Sequence, residues 1–468
     1  MDDFLREIQT SVFREWINNQ KRDYYHLHQS ETDPDAIIIE NEYCYSYVTF
    51  NPQCIIELCV MNKRTDEMAF YLHFQFKTLK HAISLFEEMD QCIKKMVDQP
   101  MCRLLLCCSG GMTTAFFADK IKNGIKVLNL NMEVAATSYQ KIYNVAQNYD
   151  VILLAPQVSY VKLQVEKVFK NKLVLKIPTQ IFASYNVGAL ITFVEESLKH
   201  KENKYNGYVE PLASMMEIKT NKNVLAVSIN ANGENSHISY RLYNSHQDIV
   251  LDSNIIKSNI KLQDVLDALD TVVLQNEMID VISIALPGVM VEGNVYSGII
   301  EGGNHQLKER LEKRYEKEIY LINDVNAAVV GYYASQNEYK SLAFLFQPIG
   351  RMAGSGIIVS GQLVRGMDHL AGEVALLPLK LSDSYLNLAN TPEGTLELVT
   401  KNIMSIIAIV APEAIVVYSD LILDSQDVSD EIKKSLSQYS LKVYPKIIKV
   451  ENILEYILLG AMILSAKE

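Results

Sequence analysis

No cysteine occurs beyond position 108, and the 7 that precede it (Cys44, Cys54, Cys59, Cys92, Cys102, Cys107 and Cys108) are odd in number and sit mostly in apolar surroundings. Such usage fits reduced thiols in a cytoplasm better than a disulfide scaffold. No Cys-x-x-Cys pair or histidine cluster has zinc-site spacing, so no zinc is expected. The chain opens without a leader pattern. Its longest apolar stretch near the end, Ile403 to Tyr418, is broken by Pro412 and Glu413 and is too short to span a bilayer. Basic residues are also in deficit: 44 Lys and Arg against 56 Asp and Glu leave a formal charge of −12. Nucleic-acid binding needs a basic face, so none is expected here.

What is present is apolar content of 49% and charged content of 21% over 468 residues, enough for about three well-cored domains. The pattern changes character along the chain, and the predicted class is multidomain α/β. Residues 1–22 are an amphipathic helix, with Phe4, Leu5, Ile8, Val12, Phe13, Trp16 and Ile17 near helical spacing. Strand-like runs follow at 36–47, 55–61 and 68–76, and helical periodicity returns over 79–97. Residues 1–100 thus read as a small α+β domain with a short antiparallel sheet and no recognisable chemistry. Residues 101–200 alternate strands (103–107, 125–130, 150–154, 173–177) with helices (113–123, 138–147, 160–169, 186–199). This predicts a four-stranded parallel sheet with right-handed crossovers. The polar run 201–222 is the linker candidate, and strands and glycine-bearing turns resume over 223–468.

The stretch Arg103-Leu-Leu-Leu-Cys-Cys-Ser-Gly-Gly-Met-Thr-Thr114 carries the sharpest chemical signal. A buried strand, a tight glycine turn and a helix N-terminus converge there, and free backbone N–H groups at such a point favour an oxyanion. The same field favours a thiolate. Cys107 reads as a small core residue. Cys108, at the mouth of the cradle, reads either as a second core residue or as a phosphoryl acceptor. Cys108-Ser-Gly-Gly-Met-Thr-Thr114 resembles the active loop of the lactose/cellobiose-type enzyme IIB of the bacterial phosphotransferase system (PTS). Asp150-Val-Ile-Leu-Leu-Ala-Pro-Gln-Val158 resembles a second segment of that family, in the same order. The resemblance implies phosphocysteine at Cys108, with the phosphoryl oxygens held by Ser109, Gly110, Gly111, Met112, Thr113 and Thr114. It also implies a phosphohistidine donor of the enzyme IIA type and, for sugar transport, a membrane enzyme IIC. No metal or cofactor is required for that transfer.

Residues 223–468 resemble the ROK family of bacterial sugar kinases and repressors. The resemblance rests on Pro287-Gly-Val289, Asn323-Asp-Val-Asn-Ala-Ala328, Gly354-Ser-Gly-Ile-Ile-Val-Ser-Gly361 and Ala371-Gly-Glu373. It implies a two-lobed, actin-like ATPase fold, with sugar between the lobes at Asn323, Asp324 and Glu373. Asp324 stands at the position of the family's catalytic base, and a homodimer is implied. The nucleotide side departs from the family. Asn230-Ala-Asn-Gly-Glu234 replaces Asp-x-Gly-Gly-Thr, putting a carboxylate where phosphate would lie. Arg351 and Met352 replace Thr-Gly, Tyr418-Ser-Asp420 replaces a glycine run, and Leu376 replaces a zinc-binding histidine. The reading is a PTS-linked phosphotransfer or regulatory protein that accepts a phosphoryl group on Cys108 and senses a sugar or sugar phosphate. Mg-ATP would matter only if the ROK-like half is active. The alternatives are an active ATP-dependent hexokinase with an accessory IIB unit, and a ROK-type transcriptional regulator.

Overall fold

Alternating apolar and polar residues make the first hundred residues an antiparallel meander. The structure is a computed structural model. It describes residues 3–63, 67–98, 102–110, 112–128, 130, 132–169, 172–199, 212, 214, 220–232, 235–291, 294–296, 300–301, 306–367, 370–422, 424–437 and 444–467. Helix α1 (Asp3–Asn18) leads into β1 (His26–Gln29), β2 (Ala36–Glu40), β3 (Cys44–Asn51), β4 (Ile55–Asn62) and β5 (Glu67–Gln75), and α2 (Leu79–Asp98) follows. Consecutive strands pair antiparallel throughout. α1 buries Phe13 and Ile17 completely. Trp16 stacks on Phe13 and meets Phe86 of α2 edge-on at 5.5 Å. A buried Phe or Ile contributes about 1.5–3 kcal/mol, which fixes the helix to the sheet.

The sheet does not stop at these five strands. In the last part of the chain come β10 (Val224–Asn232), β11 (Asn235–Tyr243), β12 (Ile249–Lys257), β13 (Ile260–Lys261), α8 (Leu262–Gln275) and β14 (Val281–Leu286). Short β15 (Val289–Val291), β16 (Asn294–Tyr296) and β17 (Ile300–Glu301) precede α9 (Leu307–Tyr315), β18 (Glu318–Asn323) and α10 (Asp324–Ala334). β12 pairs with β5 at Ile256 and Tyr71, giving one ten-stranded sheet in the order β1-β2-β3-β4-β5-β12-β11-β10-β14-β18. One apolar core runs from Phe13 and Phe86 to Leu225, Ile284 and Ile319. The seam is also polar. His73 Nε2 lies 2.5 Å from Tyr240 Oη, and burial pushes the His73 pKa down to about 4. Lys77 reaches Asp267 at 2.6 Å, and buried Lys257 bridges Glu88 at 2.6 Å and Asp264 at 2.5 Å.

In sequence, the unit that carries Cys108 lies between these halves of the sheet. It comprises β6 (Cys102–Cys108), α3 (Met112–Val127), β7 (Met132–Ser138), a single turn α4 (Ile142–Val145), β8 (Val151–Leu154), α5 (Lys162–Val168), β9 (Leu173–Lys176), α6 (Thr179–Ser184) and α7 (Val187–Lys199). The four strands are parallel, in the order β7-β6-β8-β9. Two sequence expectations shift here. The apolar run 125–130 ends a helix, and the second strand starts at Met132. α3 runs on through Gly124, where a Cβ would sit 2.6 Å from Val187 of α7. The helix predicted over 138–147 is instead a string of short turns around α4.

The second lobe of the last part holds β19 (Leu342–Phe346), β20 (Gly354–Val359), β21 (Gln362–Leu363), α11 (Tyr385–Leu388), α12 (Pro392–Val410), β22 (Ala414–Tyr418), α13 (Ser425–Ser437), β23 (Lys446–Lys449) and α14 (Leu454–Lys467). Its sheet order is β21-β20-β19-β22-β23. α10 and α14 lie between the two sheets in a core shared by Val224, Ala285, Phe344 and Val416. Their backbones touch. A Cβ on Gly460 would stand 1.8 Å from Ala327 O, and one on Gly331 2.0 Å from Tyr456 O.

Replacing Lys257 by Ala leaves the buried Asp264 without its cation, with the Lys261 N–H still donating to it at 2.7 Å, at a cost of about 3–5 kcal/mol. The only tryptophan, Trp16, lies in α1, 241 positions earlier in sequence (257 − 16). Urea unfolding followed by Trp16 fluorescence should therefore shift to lower urea in Lys257→Ala. An unmoved Trp16 transition would mean that the two strand sets unfold separately.

Candidate functional site

Cys108 ends β6, the strand from which the chain departs first to one neighbour, β7, and then to the other, β8. Such a reversal of strand order opens a crevice beyond the carboxyl ends of the strands. Ala155 N donates to Cys107 O at 2.9 Å, which sets Pro156 and Gln157 beside Cys108 on the same rim. Cys107 points into the core, and burial pushes its thiol up to about 12. Cys108 is 7% exposed, next to exposed Ser109 and Gly110. Gly110 takes φ +104° and its N–H donates to Cys108 Sγ at 3.2 Å. Thr137 O lies 4.0 Å from the sulfur. Helix α3 begins at Met112, so its N-terminus follows directly. Gly111 and the side chains of Met112, Thr113 and Thr114 lie outside the described residues.

The second candidate site is built where the other two sheets face each other. Asn323 ends β18 and caps α10: its Oδ1 accepts from Val325 N at 3.1 Å and Asn326 N at 3.0 Å. Its Nδ2 donates to Gly288 O at 3.3 Å, tying the Pro-Gly turn after β14 to the cap. The cap leaves Asp324 at the first position of α10, 7% exposed, with Oδ1 accepting from Val325 N at 2.9 Å. Strand β20 packs on this turn through glycine. A Cβ on Gly356 would meet Val325 O at 2.6 Å. Gly372, at φ +93°, in turn packs against Ser355 of β20, whose N–H donates to Gly372 O at 2.9 Å. Glu373 follows. Asn323, Asp324 and Glu373 are therefore joined through α10, β20 and Gly372.

Burial pushes the Asp324 carboxyl up to about 6; the Val325 N–H pulls it back and the Glu373 charge adds to the rise. Burial also raises Glu373. Asn326 Oδ1 and Ser355 Oγ, from the same two elements, are buried with no hydrogen-bond partner in the protein. Buried polar atoms are ordinarily paired, so these two suit the hydroxyls of a bound molecule. Neither was singled out from the sequence. The second Asn of Asn323-Asp-Val-Asn326 and the Ser between Gly354 and Gly356 were the signals available.

On the nucleotide side, Arg351 and Met352 are exposed, and Leu376, at the family's zinc-histidine position, is 77% exposed. Asn230 lies in β10 opposite His237. Gly233, Glu234 and the side chains of Ala231 and Asn232 lie outside the described residues. Among the described residues no group of three or more His, Cys, Asp or Glu is arranged to hold a metal ion, and none of the helices is long and apolar enough to cross a membrane. The residues at the zinc position do not fit that ion.

One unit thus places a thiol at the switch point of a parallel sheet, and the two-lobed α/β body holds a buried carboxyl between its sheets. Residues 103–192 match the family model of the PTS system lactose/cellobiose-specific IIB subunit, and residues 234–394 match that of the ROK family. The chain carries one domain of each kind. A curated relative, the PTS system oligo-beta-mannoside-specific EIIB component of Bacillus subtilis (strain 168), is 30% identical over 67 residues. That match spans 14% of this chain and 65% of the relative's length. A solved ROK family protein from Streptococcus pneumoniae TIGR4 in complex with sucrose aligns with 52% of this chain and 97% of its own, at 18% identity and TM-score 0.41. The lactose-specific IIB component domain from Streptococcus pneumoniae aligns with 20% of this chain and 95% of its own, at 23% identity and TM-score 0.19.

The raised Asp324 carboxyl carries a pH prediction. Its pKa in the unfolded chain is about 3.9, so holding it ionised in the fold disfavours folding increasingly as pH rises from about 4 to about 6. Asp324→Asn keeps the acceptor for Val325 N and removes that cost. Its melting temperature should exceed the native one at pH 7.5, by the equivalent of about 2–3 kcal/mol, and converge with it at pH 4. Equal offsets at both pH values would refute the buried-charge assignment.

Proposed function

We propose that the protein accepts a phosphoryl group on Cys108 from the phosphohistidine of an enzyme IIA-type protein, and that its ROK domain senses a sugar or sugar phosphate. The observation that carries the reading is the Gly110 N–H aimed at Cys108 Sγ from 3.2 Å, at a switch point with a helix N-terminus behind it. The thiolate attacks phosphorus in line. The S–P bond forms as the N–P bond of the phosphohistidine breaks, and the imidazole nitrogen leaves with the bonding pair. Backbone N–H groups of residues 109–114 and the Thr113 and Thr114 hydroxyls balance the charge on the three oxygens, so no metal is invoked. The phosphoryl group then moves to a sugar on a membrane enzyme IIC or serves as a signal. The joined ROK domain favours the signal.

In the sugar cleft, Asn323, Asp324 and Glu373 take hydroxyls, with Asn326 and Ser355 as further partners. The departures at Asn230, Glu234, Arg351, Met352 and Leu376 support loss of ATP use. Phosphotransfer is tested by intact mass after incubation with phosphoenolpyruvate, the general PTS relay proteins and a panel of IIA donors. The native chain should gain one phosphate, about 80 Da, and Cys108→Ser none. Equal gain in both, or none in either, would remove the reading.

A second reading is supported by the carboxyl of Asp324, whose pKa of about 6 suits a general base near neutral pH. An active ATP-dependent hexokinase would use it on a sugar hydroxyl. We expect no hexose-dependent ATP turnover above that of Asp324→Asn. A turnover at least about 100-fold above that variant would favour the kinase instead.

A further inference from the structure

The IIB unit meets the second ROK lobe edge to edge, and the edges are the ligand-taking ones. β6 and β7 end at Cys108 and Ser138; β19 and β22 end at Phe346 and Tyr418. In each sheet the crevice beyond carboxyl ends is the ordinary place for a ligand. Here the segments after β19 and β22 pack on the IIB unit. Leu421, three residues past β22, is 2% exposed and lies in the apolar cluster of the IIB unit, and Ile349, three residues past β19, packs on the same cluster. Tyr139, the first residue after β7, donates to Glu393 Oε1 at 3.2 Å.

The lobe's side of this contact is stiffened. Gln347 is fully buried, and its Nε2 donates to Pro348 O and Arg351 O, both at 2.9 Å. Its Oε1 accepts from Tyr385 Oη at 2.8 Å, and Tyr385 Oη accepts from Ala353 N at 3.1 Å. Gly350, at φ +65°, turns the loop against Asn390. Glu393 stands in the first turn of α12, which Thr391 caps through Gly394 N at 3.1 Å. On the IIB side, Ser138 pairs with Cys108 across β6 and β7, and Tyr139 is the next residue.

We propose that the carboxyl-end rim of the second ROK lobe is a docking face for the Cys108 rim of the IIB unit, and that this contact passes the phosphorylation state of Cys108 to the lobe. The second clause rests on the phosphocysteine reading; the first does not. A phosphoryl group on Cys108 adds negative charge to a rim that already meets the Glu393 carboxylate, so it loosens the contact and frees the loops after β19 and β22. The lobe bearing Glu373 is thereby coupled to the phosphate site, and by linkage a cleft ligand that shifts the lobe changes the accessibility of Cys108.

Hydrogen exchange of the full-length chain, read by mass spectrometry, tests both clauses. Leu421→Asp should speed exchange in the IIB segment 139–148, and Tyr139→Glu should speed it in 347–353 and 419–422, each roughly tenfold, while 224–230 is unchanged in both. If Leu421→Asp instead unfolds its own lobe, exchange rises in β22 as well, and Tyr139→Glu, made on the other unit, decides. No acceleration across the contact in Tyr139→Glu overturns the docking face. For the second clause, the native chain carrying one phosphate by intact mass should show the same acceleration in 347–353. Phosphate on Cys108 without that acceleration overturns the transmission alone. Failure of any phosphate to load sinks the phosphocysteine reading and the transmission with it, and leaves the docking face judged by the two variants.

Discussion

Two helices whose backbones touch hold the ROK domain together. α10 and α14 cross with Gly331 against Tyr456 and Gly460 against Ala327, at separations that no side chain would allow. The first helix starts at Asp324 and the second is the last element of the chain. Their crossing fixes α10 between the two sheets, and α10 fixes the carboxyl. The position of Asp324 is thus set by packing along the whole helix as well as by the Asn323 cap. A third glycine contact, Gly356 on Val325, brings β20 onto the same turn and carries Ser355 and Glu373 with it. The cleft is built from close backbone approaches, which explains why glycines recur in the motifs around it.

The first hundred residues bear on this body through the ten-stranded sheet. Their core is continuous with that of the lobe that supplies β18 and Asn323. The seam includes Lys257, Asp264 and Asp267, each almost fully buried, and charges so placed are tolerated only as partners. A role for residues 1–98 is therefore sought in supporting that lobe. The IIB unit, inserted between the two halves of the sheet in sequence, folds on its own parallel sheet and touches the opposite lobe. The three parts form a chain of contacts from α1 through the cleft to Cys108.

Much of this was legible where signals are local. The strand, glycine turn and helix start announce themselves within the twelve residues from Arg103 to Thr114. The sheet continuation was not legible. β5 and β12 meet at Tyr71 and Ile256, 185 positions apart (256 − 71), and both strands read as ordinary alternating runs with no mark of who their partner is. The helix predicted over 113–123 runs on through Gly124, where the missing Cβ leaves room for Val187, a residue of another helix. Asn326 and Ser355 were visible as motif members, but their lack of partners is a property of the packed structure alone.

The central claim is a phosphoryl group on sulfur, and phosphorus NMR of the relay-treated native chain tests it most directly. The account expects one new resonance in the S-phosphorothioate region, well downfield of phosphohistidine, absent from Cys108→Ser. A resonance in the phosphohistidine or phosphoserine region, or one that persists in Cys108→Ser, would contradict it.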